Sequence, residues 1–220
     1  SGTDGNIISY DASGNPVAVA TGSDGQVLTS AGAGAVPAFE TLPASGEWSK
    51  LLHTTISSDT SLVAFNQTYL TSTYQDYKVV WSNVHCATDQ THFNLNASPN
   101  NGVNFMDFDM SNRGFKDDGN VQSRVQTSGT NFRMHQNENI GNGSGESIAG
   151  FIEIFDPSAT DSNVHFLGRS AFNLGDSANA HAHCIIGGGT QGTQAVNYIR
   201  FKFTTGDIAS GEFTLYGRKI

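Results

Sequence analysis

The chain is short of charge. Asp, Glu, Lys and Arg make up 14% of its 220 residues, against roughly 25% in an ordinary soluble domain. Positive charge is scarcest. Eleven Lys and Arg face twenty Asp and Glu, the formal net charge is −9, and no Lys or Arg precedes Lys50. Without a basic cluster the chain has no electrostatic footprint for nucleic acid, which argues against that partner. Two cysteines are too few for a disulfide scaffold. No apolar run approaches the length of a membrane-spanning helix, so no membrane insertion is expected. No stretch keeps a helical period. The chain starts at Ser1 without a methionine, the expectation for a processed chain or part of a longer one.

What is present fills these gaps. Glycine is abundant, 25 of 220 residues, and Ser, Thr, Asn and Gln together supply nearly a third of the chain. The 14 Phe, 6 Tyr and 2 Trp argue against disorder. A core can be built, under a surface of amides and hydroxyls.

The first forty residues repeat. Residues 2–21 read GTDGNIISYDASGNPVAVAT and residues 22–41 read GSDGQVLTSAGAGAVPAFET. At an offset of 20, Gly2/Gly22, Asp4/Asp24, Gly5/Gly25, Gly14/Gly34, Ala18/Ala38 and Thr21/Thr41 are identical, and Ile7 aligns with Val27. In each unit Asp-Gly marks a tight turn and a short β-prone run follows. Each unit offers too few apolar side chains for a core of its own. Repeats of this size stack on neighbours, and two copies fall short of the three or so that a free solenoid needs. Other chains are therefore expected to supply the partner surface. The alternative is a flexible linker, for which Ala31–Ala35 has the composition. Residues 1–45 read as a stalk or attachment segment, with Asp4, Gly5, Ile7, Asp24, Gly25 and Val27 as its candidate positions.

Residues 46–220 read as one β domain. Tyr77, Val79 and Trp81 alternate with Lys78 and Ser82, and Phe93 and Leu95, Ile199, Phe201 and Phe203, and Phe213 and Leu215 alternate likewise with their neighbours. Such alternation marks strands with one buried face. Ser147–Phe155 is apolar on both faces, the mark of a central strand. Eight to ten strands separated by Asn, Gly and Asp turns predict an all-β fold: an antiparallel β-sandwich, jelly-roll-like, behind a short repetitive β stalk. Pro99–Glu146, rich in Asn and Gly, predicts short strands with long loops.

At both ends the sequence resembles a known family. GTDGNIISYD and GSDGQVLTSAGAGAVPAFE are similar to the glycine-rich segments of bacteriophage tail-fibre proteins, of the marine and cyanobacterial type. Ser210–Ile220, with its Leu215-Tyr216-Gly217, and Asn197–Gly206 resemble the closing strands of their C-terminal domains. The resemblance covers about a third of the chain. It implies a homotrimer assembled in the host cytoplasm, a β-structured stalk, and a head that contacts the host surface. A capsid decoration or head-fibre protein contacting other virion proteins is the alternative reading, and a glycan-degrading fibre enzyme a second one.

Several residues could carry chemistry. His181 and His183 share one face of a strand, with Cys184 on the other. Three copies around an axis would gather six imidazoles, enough for octahedral metal. Solvated histidines on a trimer surface are the plainer reading. His85-Cys86 with His183-Cys184 lacks the spacing of a zinc site, and Asp107, Asp109, Asp117 and Asp118 lack that of a calcium loop. No cofactor is expected. A disulfide between Cys86 and Cys184 needs neighbouring strands, and two free, buried thiols are the expected state. Gly141–Gly145 lacks the Lys-Ser/Thr of a phosphate loop. Glu138, Glu146 and Glu153 could serve a glycosidase only as a convergent pair, which nothing in the sequence provides, so no enzyme is expected. For binding, amides and hydroxyls suit a glycan and aromatics stack on sugar faces. The candidate glycan or receptor contacts are Asn100, Asn101, Phe105, Phe108, Phe115, Asn131 and Phe132. Any one of these aromatics could instead belong to the core.

Overall fold

A computed structural model of the chain describes residues 5–41, 46–175 and 177–219, and the side chains of all of these except 177–179. Every regular element among them is a strand: β1 (Ile7–Tyr10), β2 (Pro16–Val19), β3 (Val27–Thr29), β4 (Ala38–Glu40), β5 (Trp48–Ile56), β6 (Val63–Phe65), β7 (Asp76–Cys86) and β8 (Phe93–Ser98). They continue as β9 (Phe108–Lys116), β10 (Val121–Thr127), β11 (Phe132–Arg133), β12 (Ile148–Phe155), β13 (His165–Leu174), β14 (Ser177–Thr190), β15 (Tyr198–Phe203) and β16 (Ile208–Arg218). Among the described residues no helix is long and apolar enough to cross a membrane. The chain divides into two compact units, Ser1–Ser45 and Gly46–Ile220.

The first unit is two antiparallel hairpins, β1–β2 and β3–β4, one per sequence repeat. The aligned glycines share a left-handed backbone: φ is 83° at Gly5 and 82° at Gly25, 80° at Gly14 and 81° at Gly34. Glycine adopts that region without steric cost, which is why it recurs. In the first turn Asp11 accepts hydrogen bonds from the Ser13 and Asn15 amides on Oδ1. These bonds, Asn15 foremost, hold its carboxyl below the usual range. The hairpins differ by one residue in register. Ile7 faces Val19, but Val27 faces Glu40 and not the Phe39 that the 20-residue offset demands. A one-residue slip exchanges the two faces of a strand, so buried Val19 is replaced by exposed Glu40. Glu40 then accepts the Thr29 hydroxyl at 2.7 Å. Asp4 lies outside the described residues.

The second unit has two antiparallel sheets. The larger runs β10-β9-β14-β13-β12-β7-β16-β5 and the smaller β11-β8-β15-β6. They pack face to face through aromatic residues. Trp81 on β7 meets Phe93 on β8 with ring centroids 5.8 Å apart, and Phe213 on β16 meets Phe201 on β15 at 5.7 Å. This is the layout of a β-sandwich. The first strand, β5, pairs with the last, β16, and the Gly46 amide donates to the Lys219 carbonyl at 2.9 Å. The doubly apolar β12 lies between β7 and β13, inside the large sheet.

Beyond β12 the large sheet continues through β13, β14, β9 and β10. The inner face there, including Phe108, Met110, Phe166, Phe172 and Ile186, is buried. Phe108, Phe132 and Phe166 form a trio with centroids 5.2–5.5 Å apart. Segment 130–147 lies against this face. Ser170 donates to the Met134 carbonyl at 2.6 Å, and Asn112 donates to the carbonyls of Arg133 and His135. Gly188 permits the approach: a Cβ there would stand 2.3 Å from the Asp109 carbonyl and 2.8 Å from the Phe132 ring.

Two expectations are corrected. The second unit has twelve strands among its described residues, more than eight to ten. Pro99–Glu146 holds a full hairpin, β9–β10, rather than only short strands. The inward positions of β9 are Phe108, Met110, Asn112 and Gly114, so two of four are not apolar and the alternation is hidden.

Candidate functional site

A cleft of about 400 Å³ opens at the β10 edge of the large sheet. Strand β10 carries Arg124 and Gln126 on the side of buried Asn112 and Met110, which are their partners on β9. The chain then turns through Ser128 and Gly129, both at positive φ. Ser128 is a non-glycine residue at φ 67°, a conformation kept only where surroundings enforce it. Its amide donates to Asp109 Oδ1 and its hydroxyl bonds Asp107 Oδ2, both at 3.1 Å. The turn delivers Thr130 and Asn131 to the cleft and leads into β11.

On the opposite wall, β11 pairs Arg133 with Asn94 of β8, so the two side chains share a face. Asn94 is buried and donates to the His92 carbonyl and Thr204 Oγ1, both at 2.9 Å. Asn96 reaches across to Asn131 Oδ1 at 2.8 Å and accepts from Arg200 Nε at 2.9 Å. Arg200 lies 3.8 Å over the Phe105 ring. The cleft is therefore walled by fixed amides and hydroxyls, with two guanidinium groups among them.

Its electrostatics are unusual for a chain of charge −9. The ion pairs among the described residues are Lys78–Glu153, Lys116–Glu138 and Arg218–Asp76. None involves Arg124 or Arg133. Arg124 has only amide oxygens, Asn137 Oδ1 at 3.4 Å and Gln126 Oε1 at 3.1 Å. The Nε atoms of both arginines are buried without a protein partner. Burial, with the like charge of Arg124 beside it, pushes Arg133 down to about 10, so it remains charged at neutral pH. Behind it, the His92 and His135 rings lie 5.3 Å apart. Burial and the two arginines push His92 down to about 4. Fully buried His135 is held well below its ordinary range by burial, His92 and Arg133. Its Nε2 accepts the Phe93 amide at 3.1 Å, which fixes the ring as neutral. Asn112 Oδ1 and both amide atoms of Gln136 are also buried without protein partners.

The other candidates scatter. Asn131 lines the cleft. Phe105 lies beneath Arg200, near Tyr198. Asn100 shapes its own turn, bonding Ser98 Oγ and accepting the Asn104 amide on Oδ1. Asn101 has φ 56° and its amide donates to Asn197. Phe115 stacks on His183 at 5.0 Å on the outer face of the large sheet. Phe108 and Phe132 are corrected: both have no exposed surface and sit in the core, so neither can stack on a sugar here. Gly5, Ile7, Asp24, Gly25 and Val27 lie in or beside the hairpins of the first unit.

His181 and His183 both face outward, flanking buried Ala182. His181 Nδ1 lies 3.3 Å from Asn173. No group of three or more His, Cys, Asp or Glu with metal-binding geometry occurs in one chain among the described residues. Cys86 and Cys184 are free and buried. The carboxylates weighed for sugar cleavage are separately engaged: Glu153 by Lys78, Glu138 by Lys116 and Gln122, Glu146 by the Gly143 amide. Asp117–Asn120 is a turn, with Asp118 accepting the Asn120 amide.

Arg124, Arg133, Asn94, Gln126 and Thr204 were not among the candidates. One signal could have found two of them. In a chain with so few cations, Arg113, Arg124 and Arg133 fall within one Asn-rich stretch that has little else of that sign. Compared with known proteins, the chain matches no family model, no curated protein and no solved structure.

Proposed function

We propose that the chain is a structural fibre protein of a bacteriophage virion. It works as a homotrimer whose repeat unit serves as stalk and attachment segment and whose head adheres to a host-surface glycan. The observation that carries the reading is the apolar exposure of the repeat hairpins. Ile8 is 72% and Tyr10 64% exposed, and Leu28 is also exposed. Two hairpins leave these side chains uncovered, and identical chains packed on them would bury them. The head offers a second such surface. Across its large sheet Leu167, Gly187, Ser111 and Val125 form one row of cross-strand neighbours, with Ile185 beside it. Leu167, Val125 and Ile185 are all exposed.

The strand order supports reading the head as a jelly roll. Setting aside the β9–β10 and β13–β14 hairpins, the sheets reduce to β5-β16-β7-β12 and β11-β8-β15-β6, two four-stranded sheets joined as Greek keys. The cleft supports the adhesive role: amides, hydroxyls and guanidinium groups are the donors and acceptors that sugar hydroxyls need. Weak sites of this kind gain strength when three act together.

Light scattering on the purified full chain should give three times the chain mass, and a monomer would defeat the trimer. Electron microscopy of virions labelled with antibody to the head should place it on tail fibres. Label over the capsid lattice would favour the decoration reading. Shortening of host polysaccharide on incubation would favour the enzyme.

A further inference from the structure

We propose that the cleft between β10 and the β8–β11 edge takes the acidic group of a glycan, a sulfate ester or a uronic carboxylate, on Arg124 and Arg133. This names the ligand class for the adhesive reading above and rests on it.

Four observations converge. First, two guanidinium groups repel each other in one cleft, and no ion pair of the described residues neutralises them. Both side chains are partly buried, and a cation drawn partly out of water gains from an anionic partner. Second, the Arg133 guanidinium has no hydrogen-bond partner among the described residues, and that of Arg124 has only Asn137 and Gln126. Guanidinium donates in a planar fork that matches the oxygens of sulfate or carboxylate. Third, the groups behind them are neutral. Neutral His92 and His135 add no charge of either sign, and Asn94, Gln126 and Asn131 are amides. Glu138, the acid nearest Arg133 along the chain, is engaged by Lys116 and Gln122, and Asp107 and Asp109 are turned to the Ser128 turn and to Gln191. Fourth, the rest of the lining is hydroxyl and amide, and about 400 Å³ admits a sugar ring with its substituent. The site is local. A chain of net charge −9 repels a polyanion at a distance, so holding an acidic glycan needs a local cluster of cations such as this cleft presents.

The test is titration calorimetry on the full chain with four probes: a sulfated dextran oligosaccharide, an oligogalacturonate, the neutral dextran oligosaccharide and sodium sulfate. At least one acidic sugar should bind about tenfold or more tightly than the neutral one, the scale of one charge-assisted hydrogen bond. The sulfated and uronic arms distinguish the two sources of negative charge. Arg124→Gln and Arg133→Gln should each weaken binding about tenfold, while Arg169→Gln, an exposed arginine on the outer face, should not. A second measurement avoids substitution altogether: the bound acidic sugar should protect Arg124 and Arg133 of the wild-type chain from phenylglyoxal, read by peptide mass mapping.

Equal affinity for neutral and acidic sugars overturns the proposal and leaves the adhesive reading standing. So does acidic binding indifferent to both cleft variants. Sulfate binding as tightly as the sulfated sugar means an adventitious ion only, which also overturns it. Failure to bind any sugar on a broad glycan array removes the adhesive reading itself.

Discussion

At the scale of single residues, the protein holds several titratable groups in a form their surroundings dictate. His92 and His135 are neutral because burial and the two cleft arginines disfavour an imidazolium, with only the Glu138 backbone pulling the other way. Their folded values lie below the unfolded one, about 6.5. Above that pH neither state binds the proton and stability is unaffected. Between 6.5 and about 4 the unfolded chain takes protons that the native state refuses. Stability should therefore fall with pH across that window, by up to ~1.4 kcal/mol per pH unit for each histidine. Urea midpoints at pH 7 and pH 5 measure this, and His92→Gln should flatten the difference. An unchanged slope in that variant would assign the loss to other groups.

The two thiols follow the same logic with opposite sign. Burial pushes Cys86 up to about 11 and Cys184 up to about 12. Cys86 also donates to the Gly141 carbonyl at 3.0 Å. Only thiolate reacts, so neither should be alkylated by iodoacetamide at pH 8 in the native protein. Both should react once it is unfolded in urea. Native-state labelling, read by intact mass, would contradict the burial.

At the scale of elements, the clearest strands in the sequence are those whose alternation is unbroken. Tyr77, Val79 and Trp81 lie on β7, and Ile199, Phe201 and Phe203 on β15, and all six are buried. Their pattern is legible because every second residue is large and apolar, with Val80 the one apolar residue between them. Strand β10 was illegible because its inward residues are Gln122, Arg124 and Gln126 while Val121 and Val125 face out. That inversion is what builds the cleft: polar side chains inside a sheet edge are unreadable as a strand and available as a site. Phe108 and Phe132 looked like surface aromatics because their neighbours are polar, whereas segment 130–147 buries them against the overhanging sheet. Sequence proximity carried no trace of that crossing.

Two substitutions test how elements are held. The Tyr77 hydroxyl donates to the Thr71 carbonyl at 2.6 Å and accepts the Thr71 amide at 2.7 Å, tying the β6–β7 connection to the sandwich. Tyr77→Phe leaves both backbone groups without that partner and should cost about 1–3 kcal/mol in urea unfolding. Gly188→Ala would force its new methyl against the Asp109 carbonyl and the Phe132 ring. Overpacking of this kind costs about 1–3 kcal/mol, and a lowered thermal midpoint should report it.

At the scale of the whole molecule, low charge takes on a spatial meaning. The surfaces with exposed apolar side chains lie in the repeat hairpins and on the outer face of the large sheet. Two of the cations that form no ion pair, Arg124 and Arg133, share one cleft. If identical chains cover the outer face, Leu167→Lys should lower the association state seen by light scattering, because a cation would be buried in each copy of the contact. A variant of unchanged mass would remove that face from the assembly.

The pairing of β5 with β16 brings the first and last strands of the second unit together, Gly46 beside Lys219. A polypeptide whose ends meet can be spliced into a loop of another protein, or have its ends joined and reopened elsewhere, without stretching its backbone. The second unit is thus suited to grafting: inserted into a loop of a host protein through residues 46 and 219, it should keep its β5–β16 pairing and its cleft.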